Sequence, residues 1–177
     1  MEFKIGNTLI GDNHPTFIVA EMSANHNGSL DEAIEIVRAA KRSGANAIKI
    51  QTYTADTITI NSSKRDFLIS KDSPWASYKT LWNLYDTAHT PWEWHDKIFN
   101  EAKRLGLEFF SSPFDDTAVD FLEEFNVGAY KIASPEITNI PLIKKVAKTG
   151  KPVIISSGLS EFDDLDLAVK TLKQLKS

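Results

Sequence analysis

Five times along this chain a short apolar run of strand character gives way to a stripe of helical period, and few folds accept that rhythm. Parallel strands cannot be joined by a tight turn and need a crossover, usually a helix, so the alternation predicts an α/β architecture around a parallel sheet. Strands are expected over residues 16–21, 47–51, 108–111, 129–133 and 152–156. The first reads Thr16-Phe-Ile-Val-Ala-Glu21, whose apolar core suits burial on both faces. After it, Ser29 followed by Glu32 reads as a capping box, and Ile34, Val37 and Ala40 space out a helix that ends near Gly44. Further helices are expected over 92–105, 116–125, 141–149 and 163–175. Residues 3–10, with Gly6-Asn7 as punctuation, predict a small hairpin ahead of the first unit. No Gly-x-Gly-x-x-Gly follows the first strand, which argues against a dinucleotide-binding sheet. The expected fold class is therefore α/β, a (β/α)8 TIM-type barrel truncated to about five units where closure needs eight. The whole of 1–177 is read as one partial barrel domain.

One stretch breaks the rhythm. Residues 52–90 hold no obvious parallel strand and are too long for a simple connection, as active-site lids are. Trp75, Tyr78, Trp82 and Tyr85 within it argue against disorder. Because it follows a strand, it is expected over the C-terminal face of the sheet, where barrel ligands bind.

Composition narrows the chemistry. With 42% hydrophobic and 25% charged residues and a net charge of −4, the chain suits an ordinary globular domain, and no basic stripe points to nucleic acid. Four His and no Cys exclude thiol nucleophiles, disulfides and Cys-rich zinc modules. No apolar run approaches a membrane span and no signal peptide is legible, so a cytoplasmic location is expected.

The informative residues sit where strands end. Glu21 closes the first; Lys49 and Gln51 alternate with Ile48 and Ile50 in the second; Ser112 follows the third; Lys131, Ser134 and Glu136 mark the fourth; Ser156 marks the fifth. In a barrel these exits converge, and Lys49, Lys131, Ser112, Ser134 and Ser156 would ring a seat for phosphate and carboxylate. Lone lysines are seldom buried, so Lys49 and Lys131 are hard to explain structurally, whereas Glu21 could merely neutralise Lys49 and the serines could be helix caps. His26, between Asn25 and Asn27, reads first as a turn residue, and His89 and His95 as parts of a helix start.

Read together, five segments resemble the sialic acid synthase family in family order: residues 17–28, 44–53, 111–114, 129–136 and 150–158. Glu21-Met-Ser-Ala-Asn-His26, Gln51-Thr-Tyr-Thr54, Thr80-Leu-Trp-Asn-Leu-Tyr85 and Ala88-His-Thr-Pro-Trp-Glu-Trp-His95 look closest to its pseudaminic acid synthase branch. The resemblance implies an enzyme that condenses phosphoenolpyruvate with an N-acylated aldose, and it implies roles. Lys49, Ser112, Lys131, Ser134 and Ser156 would bind phosphoenolpyruvate; Glu21 would contact the sugar near its carbonyl; Glu136 would position or activate water. Gln51, Asn25 and His26 are lesser candidates on the sugar side. It further implies Mn²⁺ or Mg²⁺ held by two histidines of later strands, outside this chain, and a homodimer completed by a C-terminal antifreeze-like domain. Two rival readings stand beside it: a Schiff-base aldolase acting through Lys49 or Lys131, and a non-catalytic half-barrel.

Overall fold

A computed structural model describes residues 2–175. It opens with an antiparallel hairpin of β1 (Glu2–Ile5) and β2 (Thr8–Gly11), turned at Gly6-Asn7. Strand β3 (Val19–Ser23) leads through helix α1 (Leu30–Arg42) to β4 (Ala47–Thr52). The insertion that follows holds α2 (Ala55–Ile58) and α3 (Leu81–Ala88), and the chain returns through α4 (His95–Arg104) to β5 (Glu108–Pro113). Helix α5 (Asp116–Glu123) then precedes β6 (Tyr130–Ile132), α6 (Ile140–Lys148) precedes β7 (Val153–Ile155), and α7 (Phe162–Leu175) follows. The five strands from β3 to β7 are parallel and lie in chain order. Each strand is laid beside the last, as in barrel winding, whereas a doubly wound sheet reverses direction at a switch point. Among the described residues no helix is long and apolar enough to cross a membrane.

Local chemistry explains most boundaries. Ser29 caps α1 by accepting from the Glu32 N–H, and the helix turns Ala33, Val37 and Ala40 inward, small residues that let it lie close on the sheet. The capping box is only half formed, because the Ser29 N–H donates to the His26 carbonyl and the Glu32 carboxylate takes Asn27 Nδ2 instead. At its other end the Ala45 N–H reaches the Ala40 carbonyl and the Gly44 N–H that of Lys41, a Schellman closure with Gly44 at φ +85°. Between sheet and helices, Phe99, Phe109, Phe121 and Phe125 meet edge to face or tilted, with centroids 5.1–5.6 Å apart.

The expectation for the first strand needs correction. It begins at Val19 rather than Thr16, Ile18 is 54% exposed, and of its five residues only Met22 is buried. The cause is position: among the described residues β3 pairs with β4 alone, which places it at the edge of the sheet.

The insertion is ordered, without a parallel strand, and fastened at its base. His95, at the first residue of α4, is fully buried. Its Nδ1 meets the Pro91 carbonyl at 3.2 Å and its Nε2 meets Thr52 Oγ1 at 2.9 Å. Thr52 Oγ1 in turn lies 2.7 Å from Ser111 Oγ, which also reaches the Ile50 carbonyl at 3.1 Å. Tyr53 packs edge-on against Tyr85 and Phe114, which presses α3 onto the strand ends.

At the opposite end, Glu108 receives the Asn7 N–H at 2.8 Å and the Thr8 hydroxyl at 3.3 Å, so the hairpin turn hangs from the start of β5. Gly6 is left-handed (φ +56°), and any Cβ there would collide with the Glu108 carboxylate. Gly6→Ala is therefore expected to destabilise the fold by about 1–2 kcal/mol in urea denaturation from the left-handed backbone alone, with a further loss if Glu108 is displaced. A wild-type midpoint would show that the hairpin is not docked this way. Burial holds the His95 pKa down at about 4 against an ordinary 6.5, outweighing the carbonyls of Pro91 and Trp92 and the Glu93 charge that pull it up. Between those values the unfolded chain binds the proton and the native chain does not. Stability should thus be complete above pH 6.5 and fall by about 3 kcal/mol as pH drops to 4. Urea unfolding across that window, repeated on His95→Phe, should give a shallower slope in the variant; equal slopes would refute the assignment to His95.

Candidate active site

Alternation along β4 turns Ile48, Ile50 and Thr52 toward the helices and Lys49 and Gln51 toward the other face. Register then brings the neighbours: Glu21 of β3 lies beside Lys49, and Ser112 of β5 beside Gln51. Lys49 is 8% exposed, yet its Nζ lies 2.5 Å from Glu21 Oε2 and 3.4 Å from Ser112 Oγ. An ammonium so shielded requires such partners, so these contacts account for the lysine within an apolar strand.

Glu21 is aimed by its own chain. The β3–β4 ladder slips between Glu21 and Ser23, Ser23 takes a left-handed backbone (φ 52°), and its hydroxyl donates to Glu21 Oε1 at 2.9 Å. A non-glycine residue in that conformation costs about 1–2 kcal/mol, and such strain gathers at functional sites. Ser23 was not singled out from the sequence. Nothing there marks it, because serine at a left-handed position leaves none of the trace that glycine or asparagine leaves.

Lys131 on β6 donates to the Ile132 carbonyl at 2.9 Å. Burial first, and then the Lys49 charge, hold its pKa below the usual lysine range, while Glu21 and Glu136 pull it back up. The four charges thus share one field at one mouth. Glu136, in the 3-10 turn Ser134–Thr138, has its carboxyl raised above the ordinary range by burial, against the pull of Lys131. Its Oε2 is buried and has no hydrogen-bond partner among the described residues. Ser134 Oγ accepts from the Gly158 N–H at 3.2 Å, and the Ser156 N–H continues the β6–β7 ladder to the Ile132 carbonyl, which ties these two exits together.

The structure therefore brings Glu21, Lys49, Ser112, Lys131 and Glu136 together, with Ser134 and Ser156 at the adjoining exits. Gln51 is half-buried on the same face as Lys49. The other two sugar-side candidates sit differently. Asn25 is exposed and turns its Nδ2 back to the Met22 carbonyl at 3.0 Å. His26 is 1% exposed, with Nε2 3.2 Å from Thr90 Oγ1, Nδ1 accepting from the Gly28 N–H, and its ring edge-on to Trp94. Nε2 thus fastens the β3–α1 loop to the end of the insertion, while Nδ1 is engaged within the loop itself.

A cavity of about 1090 Å³ opens elsewhere, at the N-terminal ends of the strands, lined in part by Asn7, Asn100, Lys103, Glu108 and Phe125. It contains none of the strand-exit residues and lies at the end of the strands opposite the face where barrel ligands bind. Among the described residues no three His, Cys, Asp or Glu side chains stand close enough to hold a metal ion.

Comparison with known proteins follows from this geometry. A model of the NeuB family matches residues 36–177. The pseudaminic acid synthase of Campylobacter jejuni serotype O:2 is 45% identical over 174 residues, covering 98% of this chain and 50% of that protein. The N,N'-diacetyllegionaminic acid synthase of Legionella pneumophila is 37% identical over 163 residues, 92% of this chain and 45% of that protein. A crystal structure of N-acetylneuraminic acid synthetase from Leptospira borgpetersenii, in complex with citrate, superposes with a TM-score of 0.83 at 32% identity, over 100% of this chain and 56% of that one. The chain spans about half the length of the curated relatives it matches.

Proposed function

The chain belongs to the NeuB family, and on that premise we propose that it forms the phosphoenolpyruvate-binding, N-terminal part of a nonulosonic acid synthase. The second substrate on this reading is an N-acylated aldose, of the pseudaminic type in view of the 45% identity to a synthase of that name. The observation that carries the reading is the convergence of two ammonium groups on one mouth. Burial first, and then the Lys49 charge, lowers the pKa of Lys131 against the pull of Glu21 and Glu136, and of the two cations only Lys49 has a carboxylate in contact, so a further anion is favoured beside Lys131. Phosphate and carboxylate on one small molecule answer both cations, and the hydroxyls of Ser112, Ser134 and Ser156 supply neutral donors around them.

In the proposed reaction, carbon 3 of phosphoenolpyruvate attacks the aldehyde carbon of the open-chain sugar, and the aldehyde oxygen takes up a proton. Water adds to carbon 2 and loses a proton, and phosphate departs with cleavage of its C–O bond, leaving a 2-keto acid. Glu136, with a raised pKa and an unpartnered buried oxygen, suits the proton exchange with that water. Glu21 suits the sugar side, with one oxygen on Lys49 and the other on Ser23. The divalent ion implied by the family resemblance finds no ligand set among the described residues, and both nitrogens of His26 and His95 are already engaged. The part left to these residues is binding, orientation and proton handling.

One observation favours a second reading: a lysine with a lowered pKa, such as Lys131, is what a Schiff-base aldolase needs. Borohydride reduction in the presence of pyruvate separates the two, since only a Schiff base leaves a covalent adduct on the protein. For the synthase, Lys131→Ala in the full-length protein should raise the phosphoenolpyruvate dissociation constant about tenfold or more, because a charge-assisted contact contributes about 1.5–3 kcal/mol. An unchanged constant by calorimetry would retire Lys131 as a ligand. Residues 1–177 alone are expected to bind phosphoenolpyruvate weakly and to release no phosphate with aldose and Mn²⁺. Release at the full-length rate would place the metal site within this chain.

A further inference from the structure

We propose that His95 is a positioning residue that clasps the base of the 52–90 insertion and ties it to the Ser112 side of the mouth. The insertion leaves β4 at Thr52 and rejoins the barrel at Pro91, and one imidazole touches both points, Thr52 through Nε2 and Pro91 through Nδ1. A carbonyl only accepts, so Nδ1 carries the hydrogen to Pro91, and Nε2 accepts from the Thr52 hydroxyl. Thr52 Oγ1 then faces the hydroxyl of Ser111, 2.7 Å away, whose single hydrogen is shared between Thr52 and the Ile50 carbonyl at 3.1 Å. The chain of bonds runs in one direction with a neutral ring, and its last member is the backbone neighbour of Ser112, whose hydroxyl faces Lys49.

Thr52 and Ser111 point away from the mouth, so His95 cannot touch a ligand seated beside Lys49 and acts through the strands. The other fasteners at this base are no shorter than the two made by His95: Trp92 Nε1 donates to the Tyr53 carbonyl at 3.4 Å, and His26 meets Thr90 at 3.2 Å. Removing the imidazole leaves the two hydroxyls a way to satisfy themselves, Thr52 donating to Ser111 and Ser111 to the Ile50 carbonyl at 3.1 Å. The sheet therefore survives the loss while the two ends of the insertion come apart. That separates a clasp from an ordinary core residue, whose loss weakens the whole domain. The tie to the mouth rests on the reading of that mouth as an anion seat, whereas the clasp itself does not.

Hydrogen exchange on the full-length protein without ligand tests the clasp, comparing wild type with His95→Phe, which keeps the ring packed on Phe121 but makes neither bond. Ile98→Ala, one turn along the same buried helix face, serves as a control for general destabilisation. Amides over 53–90 should exchange about tenfold faster or more in His95→Phe, with the β1–β2 hairpin and α5–α7 unchanged, while Ile98→Ala should not single out the insertion. His95→Gln, which can still accept from Thr52, should recover part of the protection. In the same proteins the phosphoenolpyruvate dissociation constant should rise about fivefold or more in His95→Phe and less in Ile98→Ala. Unchanged exchange over 53–90, or faster exchange spread evenly over the domain, overturns the clasp. Faster exchange there with unaltered phosphoenolpyruvate affinity overturns the tie to Ser112. A wild-type protein that binds no phosphoenolpyruvate sinks the anion-seat reading, and the exchange comparison still decides the clasp.

Discussion

A lysine whose side chain is only 10% exposed in the middle of a parallel sheet is tolerable only with a counter-charge and further acceptors around it, and Lys49 imposes that condition on its surroundings. Glu21 meets it from the neighbouring strand, but only because the ladder slips and Ser23 bends into a strained backbone to turn the carboxylate inward. Ser112 meets it from the other side through the β4–β5 register. Lys131 adds a second positive charge beside Lys49, which Glu136 answers in turn. The mouth is thus less a set of five residues than one electrostatic balance that opens with an apolar strand carrying a charge.

That balance is guarded from behind by neutral polar groups. Thr52, Ser111 and His95 lie between the sheet and α4, where unsatisfied hydroxyls would each cost about 1–3 kcal/mol, and they satisfy one another. Buried networks of this kind are rigid when complete, which suits a backbone that must present Gln51 and Ser112 at fixed height on the opposite face. Helix α3 has no fully buried residue of its own and depends on Tyr53, buried at the strand exit, to hold it down.

Much of this was legible in the residue order. The alternation of strand and helix gave the winding, and polar residues at strand exits marked the mouth before any coordinate did. Lys49 was readable because an ammonium between Ile48 and Ile50 has no ordinary explanation. The misses share a cause. The edge position of β3 depends on what lies beside it in space, which periodicity does not encode. The unused half of the capping box was lost to a competing carbonyl from a turn that sequence spacing does not reveal. His26 and His95 were ambiguous because a histidine in a core and a histidine in a site are written with the same letter, and only the partners of each nitrogen tell them apart.

The hairpin latch at Glu108 has a consequence for the order in which the chain acquires structure. The turn at Asn7 is made well before its anchor, since the carboxylate it hangs from lies 101 residues downstream. A hairpin of two four-residue strands is marginal by itself in water. It must wait, unpaired with its anchor, until β5 has joined β4 and α4 has folded back. Closing so long a loop carries an entropic cost that local contacts repay only after the central strands are in place. The N-terminus of this chain is therefore expected to be the last part of the sheet's lower rim to lock, and the first to open when the domain begins to come undone.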